Sequence, residues 1–284
     1  MFAATLLLVA VAKTASAQQP TGMSGLGSDV TSDFKYLANN VIMDGEDIAT
    51  SPLYVAAPDS PFRSPKFYLV IAAAGAVFGG SFALDQTMRS HLRGMSSSDA
   101  NLLQDVSYGS VCAATALLYG YGLWSNDDRA REYALTAGEG AGIASLADIG
   151  IKAGFGRLRP SQTDSHRAFF HGGQSFVSGD VAPMFALAAG VSEYYDNRWY
   201  VAAPAYSLAL LDGFGRMGNN AHWFSDVVGA ALLGTSTTEL FIYLHKRHNQ
   251  EPSRWRIFPV SGVPGLQSLT RSSYTTGLGF SYSW

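Results

Sequence analysis

Charge is scarce in this sequence. Asp, Glu, Lys and Arg make up 14% of it, against roughly 25% in ordinary soluble domains. A formal net charge of −3 leaves no basic excess over the whole chain, which excludes a general nucleic-acid binder. Cysteine is nearly absent too. Cys112 stands alone, so neither an intramolecular disulfide nor a cysteine-based zinc site can form. No internal repeat is visible. What is present is apolar: 47% of the 284 residues are hydrophobic and mean hydropathy is +0.07. That balance excludes intrinsic disorder. It predicts one large domain with short extensions, built as an apolar helical bundle.

The chain opens with an apolar run, Phe2 to Ala12, followed by Ala15-Ser16-Ala17. The small residues form a cleavage pattern, so residues 1–17 read as a secretory signal, although no basic segment precedes the run. A mature chain from Gln18 is then exported, to the periplasm or cell envelope. Phe67–Leu84 carries no charge over its whole length and is at the lower limit for a membrane span. Further apolar stretches run Val106–Trp124, Val181–Tyr195, Tyr200–Phe214 and Val227–Leu244. They are rich in Gly, Ala and Ser or hold acids such as Asp212 and Glu239, which also suits tightly packed helices. Six full spans after a cleaved leader would put the third and fifth connections inside the cell. Those connections carry the chemistry below, so the expectation is an exported bundle, soluble or partly embedded, with membrane association.

Local signals divide the chain further. Residues 18–32 are Gly/Ser/Thr-rich and read as mobile. Phe34, Leu37, Val41 and Ile42 recur at helical spacing, with Ser32 or Asp33 as cap and Ser51-Pro52 as stop. The prolines Pro58, Pro61 and Pro65 mark a loop. Helices are predicted over 67–84, 106–124, 128–154, 178–195, 198–213 and 224–248. A polar helical region over 85–103 breaks near 94–98, and a loop covers 157–176. From Tyr274 to Trp284 large residues alternate at even positions, a strand pattern that predicts a C-terminal β-hairpin packed on the helices. The expected organisation is a signal over 1–17, an extension with one amphipathic helix over 18–66, a helical domain over 67–250 and a β tail over 251–284.

Three clusters suit a bound phosphate. Lys152, Arg157, Arg159 and Arg167 place four basic residues in sixteen positions, where the chain average gives about one. Arginine offers a planar fork to oxyanions and lysine a mobile point charge. Solvated loop charge would look the same. Ser178-Gly179-Asp180 precedes an apolar helix, where exposed backbone N–H groups attract anions; simple capping would also explain it. Arg216, His222 and Asp226 follow at spacings of six and four. A carboxylate one helical turn from His222 can accept from its Nδ1–H and leave Nε2 as a nucleophile. A structural histidine beside a capping aspartate is the alternative.

Taken in order, Lys152-x6-Arg159-Pro160, Ser178-Gly179 and Arg216-x5-His222-x3-Asp226 resemble the signature of the type 2 phosphatidic-acid phosphatase superfamily. This superfamily includes acid phosphatases, lipid phosphate phosphatases and vanadium haloperoxidases. The resemblance covers roughly residues 67–244. Ser51-Pro52-Leu53 and Leu84-Asp85 also look like bacterial envelope members. It implies an all-α bundle of about six core helices and a metal-independent phosphatase. The expected substrate is a phosphate monoester, a lipid phosphate such as phosphatidic acid or a smaller ester.

By the resemblance, His222 attacks phosphorus and forms a phosphohistidine, and Asp226 orients it. Lys152, Arg159, Arg216, Ser178 and the Gly179 N–H hold the non-bridging oxygens, so protein cations replace a metal. No cofactor is expected, although phosphate or vanadate would fit the pocket. One position departs from the pattern. The second motif normally ends in a histidine that protonates the leaving oxygen, and here Asp180 stands there. Aspartate is ordinarily ionised at neutral pH, so three readings stay open. Asp180 is the acid of an enzyme with an acid-shifted optimum; His171 or His166 supplies the proton; or the chain is a weak or inactive phosphate-binding envelope protein. A vanadate-dependent haloperoxidase is a further alternative, which the short chain disfavours.

Overall fold

The computed structural model describes residues 23–55, 64–250, 255–261 and 276–282, with side chains over 29–45 and 64–246. The predicted signal at residues 1–17 lies outside them. Seven helices run along the described chain: α1 (Met23–Val55), α2 (Pro65–Leu92), α3 (Ser97–Ser125), α4 (Asp128–Phe155), α5 (Val181–Tyr194), α6 (Trp199–Gly218) and α7 (Phe224–Gln250). The bundle expected from the sequence is therefore all-α in its described part.

Local chemistry sets several boundaries. Pro65 opens α2, where a missing N–H costs no intrahelical bond. Ser96 caps α3 by accepting from Asp99 N at 3.1 Å, and Asp127 caps α4 by accepting from Ala130 N at 3.1 Å. Asn126 and Gly156 take left-handed φ values of 53° and 50° at the ends of α3 and α4.

Some predicted boundaries move. Helix α1 begins at Met23 rather than after Ser32 and continues past Pro52. Ser32 donates its hydroxyl back to Asp29 O at 2.7 Å, as a residue inside a helix does. Asp33 is not a cap either. It accepts from Tyr119 at 2.9 Å and lies 3.5 Å from Arg131 Nε, which ties α1 to α3 and α4. Regions 85–103 and 106–124 redistribute between α2 and α3, with the break at residues 93–96. Helix α6 runs one turn further than expected and includes Arg216.

Helices α3, α4, α5 and α6 pack on one another, α2 adds to α6 and α1 to α4. The main core joins Val111, Ala144, Val181, Met184, Phe185, Ala205, Met217 and Val227. Small residues bring backbones close. Gly190 of α5 faces Tyr133 and Ala137 of α4, and Gly234 of α7 faces the Ala182 carbonyl. Thr238 of α7 donates to Ala186 O at 3.0 Å.

The outer surface is unusually apolar. Leu69, Val70 and Ile71 of α2 are 71%, 64% and 54% exposed, and only Ser81 and Asp85 of that helix are buried. Helices α2 and α7 are long and apolar enough to cross a membrane.

Residues 243–284 form a separate compact unit. In it β1 (Trp255–Ser261) and β2 (Thr276–Tyr282) pair antiparallel, with Trp255 opposite Tyr282 and Ser261 opposite Thr276. The side chains of both strands, and with them the expected packing of an apolar strand face on the helices, lie outside the described residues.

Candidate active site

The three sequence clusters converge where the end of α4, the loop before α5 and the start of α7 meet. Trp223 Nε1 donates to Leu158 O at 2.9 Å, and Ser161 N donates to Asn220 O at 3.2 Å. These bonds lay the 157–161 segment against the entry to α7. Ser178 N donates to Asp226 O at 3.3 Å, which fastens the second cluster to the third. Gly179 abuts the first: a Cβ there would lie 2.5 Å from Asp148 Oδ2 and 2.9 Å from Lys152 Nζ. A side chain there would make the Asp148 carboxylate and the Lys152 ammonium shift.

His222 is 2% exposed. Its Nδ1 lies 2.7 Å from the Ser175 carbonyl. A carbonyl only accepts, so Nδ1 carries the proton and Nε2 keeps its lone pair. Nε2 has no hydrogen-bond partner among the described residues. The expected contact from Asp226 is indirect, since Asp226 Oδ2 stays 3.8 Å from Nδ1. The carboxylate is engaged elsewhere. It accepts from Arg157 Nη1 at 2.5 Å, Ser175 Oγ at 2.5 Å and Trp223 N at 2.8 Å. Asp226 thus orients the imidazole through Ser175, whose side chain it binds and whose carbonyl holds the ring.

Arg157 also departs from its place in the basic cluster. It is completely buried and donates to Asp85 at 2.6 Å, Asp226, Ser225 and the His166 carbonyl. Phe82, Phe169 and Trp223 surround its guanidinium. It is a structural cation, with no face left for a phosphate. Asp85 further accepts from the Ser225 N–H and hydroxyl, both at 2.8 Å, and so ties α2 to the first turn of α7.

The remaining cations stand nearer solvent. Lys152 pairs with Asp148 at 2.7 Å, one helical turn away. Both line a cleft of about 640 Å³ with Gly172, Gly173, Gln174 and Phe170. The Arg159 side chain is half-buried, and its backbone N–H donates to Gln162. Arg216 Nη2 pairs with Asp180 Oδ2 at 2.7 Å, and Nη1 donates to Gln104 at 3.3 Å. Ser178 Oγ, fully buried, has no hydrogen-bond partner among the described residues.

Asp180 begins α5 without capping it. Its carboxylate turns instead to Arg216 and to Tyr108, whose hydroxyl donates at 3.0 Å. His171 is exposed, between Phe170 and Gly172 of the cleft wall, and its backbone donates to Gly156 O at 3.0 Å. His166 sits beside Trp223 and Gln86 instead. The sequence reading gave Asp85 and Ser175 no role of their own and missed Asp148 and Tyr108 as parts of this region. For Asp148 a signal existed, an acid four residues before Lys152 on one helix face. Ser175 and Tyr108 carry none.

The model of the PAP2 superfamily matches residues 133–250. The chain is 35% identical over 128 residues to the lipid A 1-phosphatase of Porphyromonas gingivalis, a match covering 44% of this chain and 27% of that protein. No solved structure matches. The matched segment, residues 133–250, is similar to the PAP2 superfamily and holds Lys152, Arg159, Ser178, Gly179, Arg216, His222 and Asp226.

Proposed function

We propose that this protein is a metal-independent phosphatase that hydrolyses phosphate monoesters through a phosphohistidine, with a phosphorylated lipid as its favoured substrate class. One observation carries the reading. His222 has its proton committed to the Ser175 carbonyl and its Nε2 unpartnered, in the cluster that joins Lys152, Gly179 and Arg216. Nε2 attacks phosphorus and the ester P–O bond breaks. Lys152, Arg159, Arg216, the Ser178 hydroxyl and the Gly179 N–H carry the charge on the non-bridging oxygens. Asp180 in its protonated form gives its proton to the leaving oxygen. In the second half-reaction Asp180 accepts a proton from water, the water oxygen bonds to phosphorus, and the P–N bond breaks to release phosphate.

A lipid substrate draws support from the named activity of the Porphyromonas gingivalis relative and from the exposed apolar residues of α2. The same features support association with a membrane. A second reading, phosphate binding without turnover, is favoured by the ion pair of Asp180 with Arg216, which holds the acid position as a carboxylate.

The test measures phosphate release from para-nitrophenyl phosphate and phosphatidic acid, with a chelator present, across acid and neutral pH. We expect His222→Ala to lose at least about 1,000-fold in kcat, the scale of a lost nucleophile. Asp180→Asn loses about 100-fold or more, the scale of a lost general acid, and the wild-type optimum is acidic. Unchanged activity in His222→Ala would overturn the assignment. Loss confined to His222→Ala would move the acid role to His171. Vanadate binding without turnover would establish the second reading.

A further inference from the structure

Asp212 takes no part in the mechanism above. It is fully buried on α6, and neither carboxyl oxygen has a hydrogen-bond partner among the described residues. A buried carboxyl without donors is costly to ionise. It lies one helical turn before Arg216, whose guanidinium is already paired with Asp180. Three elements surround this spot. Helix α3 brings Tyr108 and Gln104, the start of α5 brings Asp180, and α6 itself brings Arg216. Helix α2, also packed on α6, has its buried acid Asp85 bound to Arg157 and Ser225 and its Arg89 paired with Asp164. Asp180 thus holds the arginine and the phenol, and Asp212 is hydrogen-bonded to neither.

We propose that Asp212 is a positioning residue that makes oxyanion binding at Arg216 depend on pH: neutral Asp212 leaves the guanidinium to the ligand, and ionised Asp212 competes for it and repels the anion. The inference rests on the phosphate-site reading above and adds to it a ligand preference, for oxyanions bound under neutral to acidic conditions.

The electrostatics agree with the geometry. Burial, and then the charge of Asp180, push the Asp212 carboxyl up to about 7, with Arg216 opposing. Tyr108 is driven well above the usual phenol range by burial and then by Asp212 and Asp180, so it stays protonated and remains a donor. The sign follows directly. Below about pH 7 Asp212 is neutral and adds no charge beside the oxyanion; above it a negative charge is added and affinity falls.

The experiment uses the whole protein and molybdate, kept dilute enough to stay the monomeric dianion over the range tested. Its affinity is measured by calorimetry at a series of pH values from about 5.5 to about 8.5, a window that brackets the expected titration. Wild type is compared with Asp212→Asn, which keeps the shape and removes the charge. Groups remote from Asp212 contribute alike in both proteins and cancel in the ratio. We expect the affinity ratio of variant to wild type to rise from near one at the acid end to roughly eightfold at the alkaline end, for a tenfold difference between the two charge states. A ratio constant across pH would overturn the proposal. Should Asp212→Asn fail to fold, the infrared carboxyl band of wild type supplies the readout. Molybdate should raise the titration midpoint of a buried carboxyl near neutrality, and an unmoved midpoint overturns the proposal. If molybdate binds neither protein at any pH, the phosphate site itself is refuted. The His222→Ala assay tells that failure apart from a failure confined to Asp212.

Discussion

Arg157 bonds two carboxylates, Asp85 of α2 and Asp226 of α7, and all three side chains are fully buried. Removing one member of such a group leaves the others charged in a medium that solvates them poorly. Arg157→Met should therefore cost about 3–5 kcal/mol in denaturant unfolding, although methionine keeps much of the apolar packing against Phe82 and Phe169. Adding Asp85→Asn to that variant should restore part of the loss, because one unpaired charge disappears. A cost arising from lost packing alone would show no such recovery. Function suffers by the same route: Asp226 then lacks its main cation, Ser175 is less firmly held, and the imidazole of His222 loses its fixed tautomer.

Between helices, contact is set by small residues. Gly190 of α5 lies where a Cβ would press on Ala137 and within 3.0 Å of the Tyr133 carbonyl of α4. Backbone cannot yield as a flexible side chain can. Gly190→Val should lower stability by about 1–3 kcal/mol, seen as a lower Tm with the helical circular dichroism retained. The site should feel it as well, since α4 carries Asp148 and Lys152 and α5 follows directly on Asp180. We expect a higher KM in this variant than in wild type at temperatures where both stay folded. An unchanged Tm would show that the two backbones can separate without loss.

Over the whole molecule the surface deviates most from that of an ordinary soluble domain. Tyr68, Leu69, Val70, Ile71 and Val77 of α2 are all at least half exposed, and contiguous exposed apolar area marks an interaction surface. Replacing Leu69 and Ile71 together by Asp should reduce sedimentation with phospholipid vesicles at least about tenfold, given roughly 1.5–3 kcal/mol for each large side chain buried. Hydrolysis of para-nitrophenyl phosphate should be unaffected. Equal sedimentation of variant and wild type would show that α2 is not the contact.

The sequence alone determined the helical class and the residues that converge at the site. Apolar periodicity, caps and scarce charge are local properties, and the spacings of Lys152, Arg159, Arg216, His222 and Asp226 are readable without coordinates. Even so, proximity in sequence misled at particular positions. The i,i+4 relation of His222 and Asp226 predicted a direct contact, yet the carboxylate went to Arg157 and Ser175, which lie 69 and 51 residues away. Arg157 reads as a ligand-binding cation until packing shows it enclosed by Asp85 and three aromatic rings. Ser32 reads as a cap until it is found inside α1. Only tertiary structure decided these matters, and the reason is physical. A charged side chain in a low-dielectric interior pairs with whichever opposite charge or donor the packed helices bring within hydrogen-bonding distance, and chain spacing does not encode which partner that is.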